Sequence, residues 1–247
     1  MDIFTNRFAT IPGMKILIGF CTFLLLANLQ KQVSSLREQC RAFHELNTRI
    51  RDNQLDKKTA ALQLKNWWNS MQEFLPSKPE KQSKWLFPVK SYNHTAIGGK
   101  NGNGYRPQGY RYLDGNQHGG HPAHDIFIQD RNQDLKDDHT GLPVAVVSMF
   151  EGVVVAVEKG WVRNSELRGG NYVMIYHPEG GLLSYNAHLD SVFVHIGQSV
   201  NPGTELGTIG RSGKNAAKKR SPTHLHLMLL SYDQTKGLVP VNPYPKW

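Results

Sequence analysis

Cysteine is almost absent from this chain: Cys21 and Cys40 are the only two in 247 residues. Cys21 lies inside an apolar N-terminal run. A chain exported and cleaved there keeps one cysteine, and one cysteine makes no internal disulfide. Stability must then come from a packed core and from any bound metal. Long apolar runs are missing too. Ile16 to Ala27 is almost wholly apolar, but it falls short of the ~20 residues of a spanning helix. With Lys15 before it, the run has the layout of a secretory signal, an uncleaved membrane anchor or a buried helix being the alternatives. Residues 1–30 are therefore expected to export or tether the chain. That places it in the cell envelope, periplasmic or extracellular, with membrane contact through residues 14–30. Acidic residues are in deficit, 20 against 29 Lys and Arg, for a net charge of +9. Of that excess +6 precedes Trp85 and +3 follows it. A basic balance suits anionic partners. No basic helix with interleaved aromatics and no nucleic-acid motif occurs, which argues against nucleic acid.

Residues 33–75 carry two helical patterns. Val33, Leu36, Cys40, Phe43, Leu46 and Ile50 recur at three- and four-residue steps, one apolar stripe on a polar helix. Asp52-Asn53-Gln54 breaks the stripe. Leu62, Leu64, Trp67, Trp68, Met71 and Phe74 form a second, which Pro76 ends. This is a helical arm over 31–77, packed as a hairpin or serving regulation or dimerisation, and Cys40 belongs to its packing. A polar linker at 78–84 separates it from a domain at 85–247.

From Trp85 onward no long helical period occurs. Short β-rich runs at 125–128, 144–148, 152–157, 171–177, 182–187, 204–210 and 224–230 are separated by turn signals such as Pro202-Gly203 and Ser212-Gly213. The pattern predicts a mainly β fold, a compact antiparallel sandwich or barrel. Residues 94–120, rich in Gly, Asn and Tyr, read as a long loop walling a groove. The acidic stretch Asp130 to Asp138 opens like a calcium loop. Leu135 and Gly141 stand where glycine and glutamate are needed, so a solvated acidic loop is the expectation.

The chemistry gathers in ten of the eleven histidines, all after Trp85. His121 and Asp125 are four apart and run into an apolar segment, so a strand would point both to one face. His224 and His226, two apart, would share a face in the same way. Imidazole nitrogens and a carboxylate oxygen are what a catalytic zinc accepts, with one position left for water. His188 closes the alternating run Leu183 to Leu189. His124 has an odd offset from His121, which points it away, and His118 is spare.

Eight segments follow one another in a characteristic order: Gly120-His121 to Asp125, Leu142-Pro143-Val144, Glu151-Gly152-Val153, Asn171 to Ile175, Tyr185 to Leu189, Gly197 to Val200, Gly207 to Gly210, and His224-Leu225-His226. This order resembles the M23 zinc metallopeptidases, the lysostaphin and LytM-like peptidoglycan endopeptidases, over about residues 85–240. The resemblance implies a LytM-type β fold and one Zn2+ per chain held by His121, Asp125 and His226. It implies catalytic roles for His188 and His224, which do not bind zinc. The general base falls to one of them and the oxyanion or leaving-group donor to the other. The implied reaction is hydrolysis of cross-links between peptidoglycan stem peptides. A catalytically silent adaptor that activates other wall hydrolases, and a secreted lysin acting on other cells, are the competing readings. The chain departs from the pattern at Ala123, where the family carries glycine, and at Tyr185-Asn186-Ala187-His188, one residue longer than usual. The loop Gly213 to Pro222 is also long, and Lys214, Lys218, Lys219 and Arg220 make it basic.

Overall fold

A computed structural model describes residues 35–80 and 85–247. The expected signal or anchor at 1–30 lies outside the described residues, as does 81–84 of the expected linker. Two helices come first, α1 over residues 35–51 and α2 over Lys57–Phe74. Asp56 caps α2 by accepting from the Thr59 amide at 2.9 Å. Nine strands follow: β1 His124–Phe127, β2 Ala145–Val147, β3 Gly152–Glu158, β4 Asn171–His177, β5 Leu182–Val192, β6 Ser199–Val200, β7 Glu205–Ile209, β8 His224–Asp233 and β9 Gly237–Val241. Among the described residues no helix is long and apolar enough to cross a membrane.

All strand pairings are antiparallel and belong to one sheet, ordered β1-β8-β5-β4-β3-β6, with β9 on β8 and β7 joining β5 to β2. The expectation of a closed barrel or a sandwich is therefore wrong. This is a mixed α/β fold, a helical hairpin beside a large open antiparallel sheet. The reason lies in what covers each face. All seven residues of β4 are buried. Tyr172, Met174 and Tyr176 face the cluster formed with Phe43, Leu64, Trp67 and Trp68 of the hairpin. Val173 and Ile175 face Val146, Leu189, Ile209 and Leu227 on the other side. The hairpin takes the place that a second sheet or a closing wall would fill. Burial on both faces also explains why β3 and β4 read as continuous apolar runs.

The hairpin is joined to the sheet by shape and by hydrogen bonds. The Phe43 and Trp67 rings lie 4.1 Å apart, and Trp68 stacks on Tyr232 at 4.8 Å. Asn47 donates to the Tyr172 hydroxyl at 2.9 Å and accepts from the Tyr112 hydroxyl at 2.8 Å. Cys40 is fully buried in this cluster, and burial pushes its thiol pKa up to about 12, so it packs as a small apolar side chain. The 94–120 segment contains three short 3₁₀ turns. Gly115 sits at φ +52°, where an added Cβ would fall 2.3 Å from the Ile50 carbonyl oxygen. Only glycine fits so close to the end of α1.

Because the hairpin and sheet share one core, Phe43→Ala should destabilise the whole molecule. The expected loss is ~3–5 kcal/mol, as for other buried aromatic truncations. Urea unfolding followed by tryptophan fluorescence and by circular dichroism should show one shifted transition. A separate early transition confined to the helices would contradict a shared core.

His177, at the end of β4, is fully buried between the Glu151 carbonyl (3.1 Å) and the Ser184 hydroxyl (2.8 Å). Burial lowers its pKa to about 4. The native ring stays neutral where the unfolded one takes a proton, so the stability it confers is complete above pH ~6.5 and declines as the pH falls towards 4. The full loss is about 3 kcal/mol at ~1.4 kcal/mol per unit. The stability gap between wild type and His177→Gln, from urea unfolding, should narrow between pH 7.5 and 4.5. A gap independent of pH would show that the native ring takes up its proton at the same pH as the unfolded one.

Candidate active site

The pairing of β1 with β8 builds the site. Asp125 stands directly opposite His226, and Phe127 opposite His224. His226 is also opposite Ala187 of β5, so a neighbour on each side fixes it. Period-two geometry then puts Asp125, His224 and His226 on the hairpin side of the sheet. His121 precedes β1 and is held by a reciprocal backbone pair with Arg106, at 2.6 and 2.7 Å. Its Nδ1–H donates to the Gly104 carbonyl at 3.1 Å, leaving Nε2 to face Asp125.

The candidate ligand atoms of His121, Asp125 and His226 all lie within 4.8 Å of one another. Asp125 Oδ1 is 3.3 Å from His121 Nε2 and 3.0 Å from His226 Nδ1. Donors about 2 Å from a shared tetrahedral ion stand about 3.3 Å apart, so the spacing fits a zinc-sized cation. The donor set fits as well, with two imidazoles and one carboxylate. Burial alone would raise the Asp125 pKa, but hydrogen bonds from His121 and His226 outweigh it and hold the carboxyl far below its usual range. His121 is raised by its hydrogen bond to Asp125, against burial. His226 is lowered by burial, against Asp125. The chain thus carries a potential His/Asp/His metal-coordinating site.

Two more histidines flank it. His224 donates from Nδ1 to the Pro222 carbonyl at 2.8 Å, and its Nε2 lies 3.7 Å from Asp125 Oδ1. His188 donates from Nδ1 to the Ser212 carbonyl at 2.8 Å. Its ring centroid is 4.8 Å from that of His224 and 5.4 Å from that of His226. His188 reaches this position through an irregularity. The β4–β5 register slips between Asn171 and Tyr172, which oppose Leu189 and Ala187, so His188 is the extra residue. Its φ is +66°. Strict alternation would turn His188 to the face opposite Tyr185. The bulge turns it back, at the point where β5 exchanges β8 for β7 as neighbour. Burial, reinforced by His224 and His226, holds its pKa well below the ordinary histidine value, so its ring is neutral at pH 7.

The other histidines separate cleanly. His124 points to the opposite face, 1% exposed, with Nε2 2.8 Å from Asn242 Oδ1. His118 lies in the cleft wall, its ring edge-on to Tyr110 at 4.9 Å. The acidic stretch is not simply solvated. Asp130 is buried and accepts from the Asp134 and Leu135 amides at 3.0 Å and from the Thr223 hydroxyl at 2.6 Å. That last bond fixes the residue before His224.

The histidines open into a cavity of about 310 Å³. Its far wall includes Asn47 and Arg51 of α1, Tyr110, and Arg168. Tyr110 belongs to the 94–120 segment expected to wall a groove, but Asn47, Arg51 and Arg168 carry no signal in the sequence. No spacing rule joins Asn47 to Tyr172, 125 residues away, and Arg168 stands in an unpatterned loop.

Residues 137–243 match the sequence profile of peptidase family M23. That segment contains His188, His224 and His226 but begins after His121 and Asp125, which the β1–β8 pairing brings to them. Among solved structures, the chain is similar to the lytM protein of Ruminococcus gnavus, 38% identical over 42% of this chain and 39% of that one, with a TM-score of 0.35. It is similar to a zinc-containing peptidase of Vibrio cholerae, 21% identical over 68% and 40% of the two chains, TM-score 0.41. It is also similar to the catalytic domain of the antimicrobial peptidase lysostaphin of Staphylococcus simulans, 23% identical over 57% and 85%, TM-score 0.37. The chain spans about two fifths of the first two. No curated protein matches.

Asp125→Ala should strip zinc from the purified protein. It leaves neutral imidazoles to hold a dication and removes the only carboxylate of the set. Metal analysis after gel filtration should give about one zinc per wild-type chain and almost none for the variant. Full occupancy in the variant would remove Asp125 from the ligand set.

Proposed function

We propose that this chain, a member of peptidase family M23, is a zinc-dependent endopeptidase that hydrolyses the peptide cross-links of bacterial peptidoglycan. One observation carries the reading: three ligand-type atoms lie within 4.8 Å of one another, beside two histidines tethered through Nδ1. The peptidase family supports the reaction class. The resemblance to lysostaphin-type and LytM-type endopeptidases supports the cell-wall substrate. The basic charge and the apolar N-terminal run support an exported chain working in the envelope.

His121 Nε2, Asp125 Oδ1 and His226 Nδ1 would hold the zinc. A zinc ion bound there supplies a Lewis acid and lowers the pKa of its water towards ~7. The remaining work falls to His188 and His224. Each ring commits its Nδ1–H to a backbone carbonyl, so each neutral ring presents Nε2 as a proton acceptor. Amide hydrolysis needs one acceptor for the proton of the attacking water and one donor to the leaving amine. We assign the first step to His224. A proton taken up at its Nε2 stays 3.7 Å from the Asp125 carboxylate, whereas one on His188 would sit buried among other imidazoles. Once protonated, His224 can return that proton to the amine. His188, its ring centroid 4.8 Å from that of His224, would meet the developing oxygen charge or the leaving group as a donor once its own Nε2 carries a proton.

His188→Ala and His224→Ala should each keep zinc and lose about 10²–10⁴-fold in turnover. Release of soluble peptides from purified peptidoglycan, with metal content measured on the same samples, is the test. A variant with wild-type turnover has no catalytic histidine at that position. A wild-type protein that binds zinc but releases nothing would favour the silent adaptor.

A further inference from the structure

Two arginines line the cavity that holds the histidines, Arg51 and Arg168. Arg51 is neutralised: its guanidinium meets both Asp52 oxygens at 2.8 Å and Glu158 at 3.0 Å. Arg168 pairs with no carboxylate among the described residues. Its Nη1 donates to the carbonyls of Asn116 at 3.1 Å and His118 at 3.0 Å, while Nε and Nη2 have no acceptor among those residues. A half-buried guanidinium in a cleft, held by one nitrogen and uncompensated in charge, is the reverse of what a purely structural arginine shows.

Its backbone is fixed to the catalytic groups. The His188 amide donates to the Gly169 carbonyl at 3.0 Å, and the Lys214 amide to the Leu167 carbonyl at 2.9 Å. Gly169 packs so closely that an added Cβ would fall 1.8 Å from the Tyr185 hydroxyl oxygen. Arg168 therefore stands at a set place relative to His188. It also lies where the histidine cavity meets a second, polar hollow bordered by Asp52, Gln117 and Lys214. A peptide extending from the histidines into that hollow passes the guanidinium.

We propose that Arg168 is a carboxylate-binding residue of the substrate cleft, taking a free carboxylate of the peptide through Nε and Nη2. The planar fork matches a carboxylate in two parallel hydrogen bonds. Stem peptides carry such carboxylates, so the residue would select peptides by that group and hold their register. The inference rests on the peptidase reading of the neighbouring histidines, but its test does not need turnover.

The experiment is calorimetric titration of the zinc-loaded full chain with a monomeric stem tetrapeptide, once with its carboxyl groups free and once with all of them amidated. Wild type, Arg168→Gln and Arg168→Lys are compared. Wild type should bind the free-carboxyl peptide at least about tenfold more tightly, the range of a charge-assisted pair. Arg168→Gln should bind both peptides equally, at the wild-type affinity for the amidated one. Arg168→Lys, which keeps the charge and loses the fork, should fall between. A wild type indifferent to amidation, or binding neither peptide, overturns the proposal. So does an Arg168→Gln variant that keeps the preference, which would assign the carboxylate to zinc or to another cation. Equal weakening for both peptides would also overturn it, leaving Arg168 as a support for residues 116–118. Hydrolysis of a cross-linked dimer is measured separately. Its absence, with carboxylate discrimination intact, would count against the enzyme reading alone.

Discussion

The register between β1 and β8 is the constraint on which the site depends. It places Asp125 against His226 across 101 residues of chain. A slip of one residue would turn the ligand face of either strand to the opposite side of the sheet. The reverse face holds the register. Ile126, Leu225 and Leu227 are fully buried there, with Ile126 opposite Leu225 and His124 opposite Leu227. The cost of exposing those side chains is what fixes the polar ones. At the start of β8 the Thr223–Asp130 bond adds a polar stop. The candidate metal-ligand set is thus positioned by apolar packing on the opposite face of the sheet.

The second contribution comes from the bulge at His188. A regular β5 could pair with β8 or supply a histidine to the cleft from that position, but alternation forbids both. The extra residue with φ +66° resolves the conflict, and it falls where β5 changes neighbours and the ladder is already interrupted. The loop bearing Ser212 then ties His188 Nδ1, while the Ser212 hydroxyl donates to the Leu189 carbonyl at 2.7 Å and accepts from the Asn171 amide at 2.8 Å. Backbone strain of this kind persists where its surroundings over-determine it, and here three strands and one loop do so.

Much of this was legible in the sequence, and the failures have physical causes. The even spacing of His224 with His226 holds on β8, because alternation is a property of the backbone, whereas His121 lies before β1 and reaches Asp125 from its backbone pair with Arg106. The odd offset of His124 likewise sends it to the reverse face. Over the described residues, the helical stripes emerge as a hairpin at 35–51 and Lys57–Phe74 because their apolar positions, Leu62 apart, recur at the helical period. Closure of the sheet was misread, since apolar runs report burial on both faces without saying what covers them. A barrel wall, a second sheet and a helical hairpin all satisfy the same pattern. β9 was missed because Gly237 opens it and Pro240 interrupts it, as an edge strand permits. The polar wall of the cleft was invisible. Asn47, Arg51 and Arg168 meet only through the fold, and their residue types announce nothing on their own.

The hairpin therefore does two things at once. It covers the sheet, and the end of α1 supplies part of the cleft opposite the histidines. The proposed function requires that a peptide bond be cut at that cleft. The most direct measurement is mass spectrometry of the fragments released from purified peptidoglycan by the full chain, with chelator and zinc add-back arms. A zinc endopeptidase should produce new peptide amine and carboxyl ends at one cross-link bond and no new glycan ends, with release lost in chelator and restored by zinc. Release that persists in chelator, or fragments ending in cleaved glycan, would contradict that function.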